Sequence, residues 1–230
     1  MCTVSYIPQV KGYLLTSNRD EDPGRATKSA EKFNLPNGLK VIAPRDELKG
    51  GTWIVIDEKG RSACLVNGAF DRHKRQLTYK KSRGLLAFEA LEARNFNNFM
   101  EQAELVGMEP FTLLLLEPGS LFKMAWDGLR KYYWELPATT AHLWSSPTLY
   151  STKEHADKER YFKNSVKLKG TSGESLLQIH GRDSDSPFIL KKPQVCTVSI
   201  TQLAHNGREA SLLYHDKRNH HENTIHLTTV

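Results

Sequence analysis

Three residues near the start of the chain could together make a sulfur nucleophile. Cys2 directly follows the initiator methionine, and Arg19 and Asp20 stand side by side a short distance on. Removal of Met1, usual when the second residue is small, would leave Cys2 with a free α-amine. Such an amine has a pKa near 7.7–8.0 and is partly unprotonated at neutral pH. It can accept the proton of its own thiol, so one residue carries both nucleophile and base. A nearby cation would favour the thiolate further. On residue types alone, Cys2 could equally be an ordinary strand residue at a frayed terminus.

The elements that must hold these groups together are two strands. Residues 2–8 and 12–19 read as strands around a turn at Val10-Lys11-Gly12. If Gln9 and Gly12 flank a two-residue turn, every pair of facing positions sums to 21. Cys2 then lies opposite Arg19 on one face. A slip of one residue would send Arg19 to the other face. Arg19 is permanently charged and can orient an anionic group or depress the thiol pKa. Asp20 could anchor the α-ammonium. Neighbouring strand residues point to opposite faces, so only one of Arg19 and Asp20 faces Cys2 unless the strand ends there. The polar run 17–24 is expected to end that strand.

Further along, 25–50 reads as irregular, with Pro36-Asn37-Gly38 and Gly50-Gly51 as turn signals. Residues 52–57 and 61–66 form a hairpin around Glu58-Lys59-Gly60. Helical apolar spacing covers 82–93 and 95–106, with a break at Arg94-Asn95. Strands follow at 111–116, 121–126 and 131–136, then helices at 152–168 and 173–180. A last hairpin, 195–203 and 208–215, turns at Asn206-Gly207. Strands and helices come in groups, which predicts an α+β fold. A four-layer α/β/β/α sandwich, antiparallel sheets flanked by helices, would bury both helical groups. The whole chain, 1–230, reads as a single domain with a polar, flexible tail from about 217.

Composition narrows the function classes. Of 230 residues, 39% are hydrophobic, enough for a sizeable core. The longest aliphatic run, Leu113–Leu116, is far too short to span a bilayer, so no stable membrane insertion is expected. The N-terminus lacks the features of a secretory signal. The formal net charge is +6. Its basic clusters, Arg72-His73-Lys74-Arg75 and Lys80-Lys81-Ser82-Arg83, contain only Tyr79 as a stacking aromatic, so they read as a solvated loop rather than a nucleic-acid surface. Three widely spaced cysteines fit a reducing compartment, hence a cytoplasmic protein. Cys64 and Cys196 read as small buried hydrophobes. His215, His220, His221 and His226 lack metal-ligand spacing. There is no phosphate-binding glycine loop and no Gly-x-Ser-x-Gly elbow.

Met1-Cys2-Thr3 followed by Asn18-Arg19-Asp20-Glu21 resembles the NRDE family, whose animal members are called transport and Golgi organisation proteins. The resemblance continues through Gly50-Gly51-Thr52-Trp53, Lys59-Gly60-Arg61 and Leu65-Val66-Asn67. It returns at Trp126-Asp127-Gly128 and at His142-Leu143-Trp144-Ser145-Ser146. It implies an N-terminal-nucleophile (Ntn) hydrolase-like fold, distantly similar to penicillin V acylase and bile salt hydrolase. By that likeness Cys2 would be the nucleophile of a cysteine amidohydrolase acting on a small acylated amine or amide. Arg19 and Asp20 would be the charged pair beside it, and Asn67 would supply an oxyanion donor. Asn18, His142, Trp144, Ser145 and Ser146 would line the substrate side. In the acylases the arginine and aspartate are two residues apart. A second active-site asparagine of those enzymes falls near Ser145-Ser146, and Arg160 is a candidate for their later arginine. Asn18 and Glu21 could instead satisfy turn backbone. No cofactor is expected for hydrolysis. The alternative is a non-enzymatic carrier of haem or of a lipid or acyl group, for which Cys2 or a histidine would be the iron ligand.

Overall fold

The computed structural model describes residues 3–229. The chain opens with a hairpin, β1 (Thr3–Gln9) and β2 (Gly12–Glu21). It continues through β3 (Thr27–Asn34), β4 (Lys40–Asp46), β5 (Ile54–Asp57) and β6 (Ser62–Asn67). A single 3-10 turn at Arg83–Leu85 leads into α1 (Leu86–Glu92) and α2 (Phe96–Gln102). Then come β7 (Phe111–Glu117), β8 (Ser120–Trp126), β9 (Lys131–Leu136) and β10 (His142–Ser145). Helices α3 (Thr152–Lys169) and α4 (Gly173–Ile179) precede β11 (Cys196–His205), β12 (Glu209–Asp216) and β13 (Glu222–Thr228).

Two antiparallel sheets result, in the orders β10-β1-β2-β11-β12-β13 and β3-β4-β5-β6-β7-β8-β9. Strand alternation sorts the first sheet's side chains. Val4, Tyr6, Tyr13, Leu15, Leu203 and Leu212 join the large core shared with the second sheet. Ile7 and Leu14 point the other way, into a smaller core with Phe162, Leu176, Ile179 and Phe188 from the segment that holds α3 and α4. Helix α1 covers β5 and β6 on the outer side of the second sheet. The order helices, sheet, sheet, helices is the four-layer α+β sandwich that the grouping of elements predicts.

The helix boundaries follow from local chemistry. Asn95 breaks the helical run and caps α2, its side chain accepting from the Asn98 amide. Ser151 and Glu154 form a reciprocal capping box at the start of α3, and Lys167 and Lys169 sit at its negative C-terminal end.

Two regions differ from expectation. Residues 25–50, read as irregular, contain the β3–β4 hairpin. The tail from 217, read as flexible, contains β13, which pairs with β12 from Glu209↔Thr228 to His215↔Glu222. Leu227 joins the inter-sheet core, and the Asn223 amide donates to the Ala30 carbonyl at 2.9 Å. Burial and cross-sheet hydrogen bonding hold the segment in place.

Candidate active site

The β1–β2 register is the one the turn implies. Facing pairs run from Gln9↔Gly12 to Thr3↔Asn18. Cys2 itself lies outside the described residues. Strand β2 does not end at the polar run but continues through Glu21. Arg19 and Asp20 therefore keep strand alternation and face opposite sides of the sheet.

Arg19 points between the sheets. Its guanidinium donates to Asp46 Oδ2 at 2.8 Å and to Thr27 Oγ1 at 2.9 Å, and lies 4.5 Å over the Trp53 ring. Burial lowers its pKa, against the opposing pull of Glu21 and Asp46. Asp46 also receives Arg25 Nε at 2.6 Å. Burial alone would raise the Asp46 pKa. Hydrogen bonds from Arg25 and the Lys49 amide, with the two arginine charges, instead hold it below the ordinary carboxylate range. Two arginines thus share Asp46, and Arg25 also lies 3.8 Å from Glu21, so the floor is a cluster of both charges.

Asp20 points the other way, under the helices. It accepts from Tyr150 Oη at 2.7 Å and from Thr197 Oγ1 at 2.5 Å. Beside it the buried Lys158 ammonium donates to Thr3 Oγ1 at 3.0 Å and sits 3.7 Å from the Tyr150 ring centroid. Asn18 belongs to this layer too. Its amide donates to the carbonyls of His180 and Phe188, and its Oδ1 pairs with His180 Nδ1 at 2.5 Å. His180 Nε2 pairs with Ser5 Oγ at 2.7 Å. Complete burial, with the Lys158 charge nearby, pushes the His180 pKa down to about 3, so the ring is neutral. Asn18 was expected on the substrate side. It is instead fully buried as a tie between β2 and the α4 end.

Asn67 ends β6 and lines a cleft of about 620 Å3 together with Arg19, Trp53, Leu65, Tyr79 and Leu149. Its side-chain amide has no hydrogen-bond partner among the described residues, while its carbonyl accepts from Ser146 Oγ at 2.7 Å. Gly68 makes this junction possible. Its φ is +82°, and a Cβ there would lie 2.7 Å from Thr148 Cγ2. The basic run read as a solvated loop contributes to the cleft: Arg72, Arg75, Lys81 and Arg83 line it, together with Arg25 and Lys49. Glu109 organises that run, pairing with Arg83 at 3.0 Å and His73 at 3.4 Å.

The remaining candidates are scattered along β10 and α3. Ser145 faces Thr3 in the ladder, and its Oγ pairs with His155 Nδ1 at 2.5 Å on the helical side. Ser146 points to Asn67. His142 stacks on Trp144 at 5.4 Å and bonds to the Pro137 carbonyl at 2.8 Å; neither ring lines the cleft. Arg160 is exposed on α3, paired with Asp157. Thus Arg19, Asn67 and Ser146 come together at or beside the cleft, and Asp20 lies behind the strand. Sequence reasoning missed Asp46, Tyr150 and Lys158. Asp46 sits on an unrecognised strand, and the other two gain their role only through long-range packing. Among the described residues, no three His, Cys, Asp or Glu side chains are grouped to hold a metal ion.

Solved structures with this architecture include the N-acylethanolamine-hydrolyzing acid amidase ortholog of Caenorhabditis elegans. It superposes with a TM-score of 0.61 at 13% identity, over 90% of this chain and 93% of that one. A cysteine-to-alanine mutant of the conjugated bile acid hydrolase of Clostridium perfringens gives 0.58 at 9% identity, over 98% and 92%. At such identities the likeness establishes an Ntn-hydrolase fold. No curated protein sequence matches the chain. The model of one family, Transport and Golgi organisation 2, matches residues 1–195, and the chain belongs to that family.

Proposed function

We propose that the protein is an N-terminal-nucleophile cysteine amidohydrolase that cleaves a small acylated amine or amide. The observation that carries this reading is the β1–β2 register. Continued by one pair, it would set Cys2 opposite Arg19, on the side of the cleft that Asn67 lines. The amidase and bile acid hydrolase that share the fold give the reaction class its motivation.

In the proposed reaction the α-amine of a mature Cys2 takes the thiol proton, and the thiolate attacks the amide carbonyl. The oxyanion accepts hydrogen bonds from Asn67 Nδ2 and a backbone N–H. Collapse breaks the C–N bond, and the leaving amine takes the proton from the α-ammonium. Water, deprotonated by the same α-amine, then attacks the thioester and releases the carboxylic acid and the free thiol. Asp20 would steady the ammonium form, and Arg19 would hold the thiolate-stage charge.

Intact mass spectrometry after incubation with an acyl-amide probe tests this. One acyl group should appear on the chain, and Cys2→Ser should reduce its formation by at least a hundredfold. No adduct, together with a Soret shift on haem titration that Cys2→Ala abolishes, would replace the hydrolase with the carrier.

A further inference from the structure

Among the described residues, no helix is long and apolar enough to cross a membrane. One face of the molecule nevertheless carries the features of a protein that docks on a bilayer. Residues 68–82 form a long loop without a helix or strand, a length that is uncommon unless the loop is functional or disordered. It carries five basic residues against a single acid, Asp71, and Arg83 follows directly, in a chain whose total charge is +6. Arg83 and Lys81 are neutralised by Glu109 and Glu89. Arg72, Lys74 and Lys80 are exposed and have no carboxylate partner among the described residues.

Large aliphatic side chains project among these cations. Leu77 is 104% exposed, Leu129 88% and Val106 73%. They lie on neighbouring loops. Leu129 and Lys74 line the same shallow depression, which also contains Gly107. The Lys80 amide donates to the Gly107 carbonyl at 2.9 Å, next to Val106. Single-strand nucleic-acid surfaces present exposed aromatic rings. Here the Tyr79 hydroxyl accepts from the Gln76 amide at 2.8 Å, and the one exposed ring of the loop, Phe70, packs edge-on against Tyr132 and Trp134 instead of standing open as a stacking platform. Aliphatic tips ringed by unpaired cations match the interface of an anionic bilayer, where apolar burial and attraction to lipid charge act together.

We infer that the 68–82 loop, with the neighbouring tips at Val106 and Leu129, is a reversible docking surface for an anionic phospholipid membrane. The cleft opens beside it, since Leu77, Arg72 and Arg75 line both. A docked molecule would therefore present its cleft to the membrane surface. Docking itself does not depend on the amidase reading.

Flotation of the full chain with vesicles tests the inference. The chain should bind vesicles of phosphatidylcholine containing phosphatidylserine, fail to bind pure phosphatidylcholine, and release as salt rises. Lys74→Ala and Lys80→Ala, which lie outside the cleft lining, should each weaken partitioning about fivefold. Leu129→Ser should weaken it also, with the fold checked by far-ultraviolet circular dichroism. Cys2→Ala should bind as the wild type does, so a dead nucleophile and an absent docking surface give different results. The inference is overturned if phosphatidylserine confers no binding at low salt. It is overturned equally if the lysine variants weaken binding to a single-stranded oligonucleotide while Leu129→Ser leaves vesicle binding unchanged.

Discussion

At the scale of single residues, the ionisable groups near the cleft are held by specific partners. Arg19 illustrates this. Its charge is fixed by Asp46, Thr27 and the Trp53 face. Replacing it with methionine leaves Asp46 with Arg25 alone. Breaking a buried pair costs about 3–5 kcal/mol when nothing else compensates. With Arg25 retained, Arg19→Met should cost about 2–3 kcal/mol and lower the melting temperature by roughly 5–10 °C. An unchanged melting temperature would mean the pair contributes nothing. His180 gives a pH prediction. Its folded pKa is about 3, against about 6.5 unfolded. The unfolded chain therefore binds the proton first, and stability falls as pH drops from 6.5 towards 3. At pH 5 this histidine should account for about 2 kcal/mol of lost stability. Urea unfolding at pH 7.5 and pH 5 should show a smaller acid loss for His180→Gln than for the wild type. Parallel losses would refute the assignment. Cys64 is the internal control for thiol chemistry: burial pushes its pKa up to about 12, which keeps it protonated.

At the scale of elements, backbone contacts set the shape of the cleft wall. The Thr52 amide donates to the Gly84 carbonyl at 3.0 Å. A Cβ on Gly84 would lie 2.9 Å from the Thr52 carbonyl oxygen, and one on Gly51 would lie 2.6 Å from the Gly84 carbonyl carbon. The two glycines let the 3-10 turn press onto the strand entry and carry Arg83 to Glu109. Gly84→Ala should cost about 1–3 kcal/mol by forcing these segments apart. It should also slow acylation by shifting the basic wall, measurable as a reduced adduct rate at a temperature where the variant is folded. The elements also show what the sequence makes legible. The turn at Val10-Lys11-Gly12 fixed the register of β1 and β2 through its length, and Asn206-Gly207 fixed the β11–β12 turn. The strands missed outright were mostly edges: β3, β10 and β13. Edge strands carry polar residues outward and so resemble loops. In β3 only Ala30 is fully buried. β4 is the exception: the buried run Val41-Ile42-Ala43 is short and ends at Pro44, which masked it.

At the scale of the whole molecule, local pattern stops being informative. Nothing in the sequence brings Tyr150 and Thr197 to Asp20, or the basic loop to the cleft that Lys49 also lines. Those meetings depend on how the two sheets stack. The same stacking makes the C-terminal strand structural. Deleting the residues after 217 would remove β13, expose the β12 edge and uncover part of the inter-sheet core. The truncated chain should melt at a distinctly lower temperature and aggregate on heating. If it melts with the full chain, β13 is dispensable. Whether Cys2 is the nucleophile is read from the intact mass of the purified chain with and without an acyl-amide probe, followed by peptide mapping. The expected product is a chain lacking Met1 that gains a single acyl group on Cys2. A chain that keeps Met1, or an adduct on Cys64 or Cys196, would contradict it.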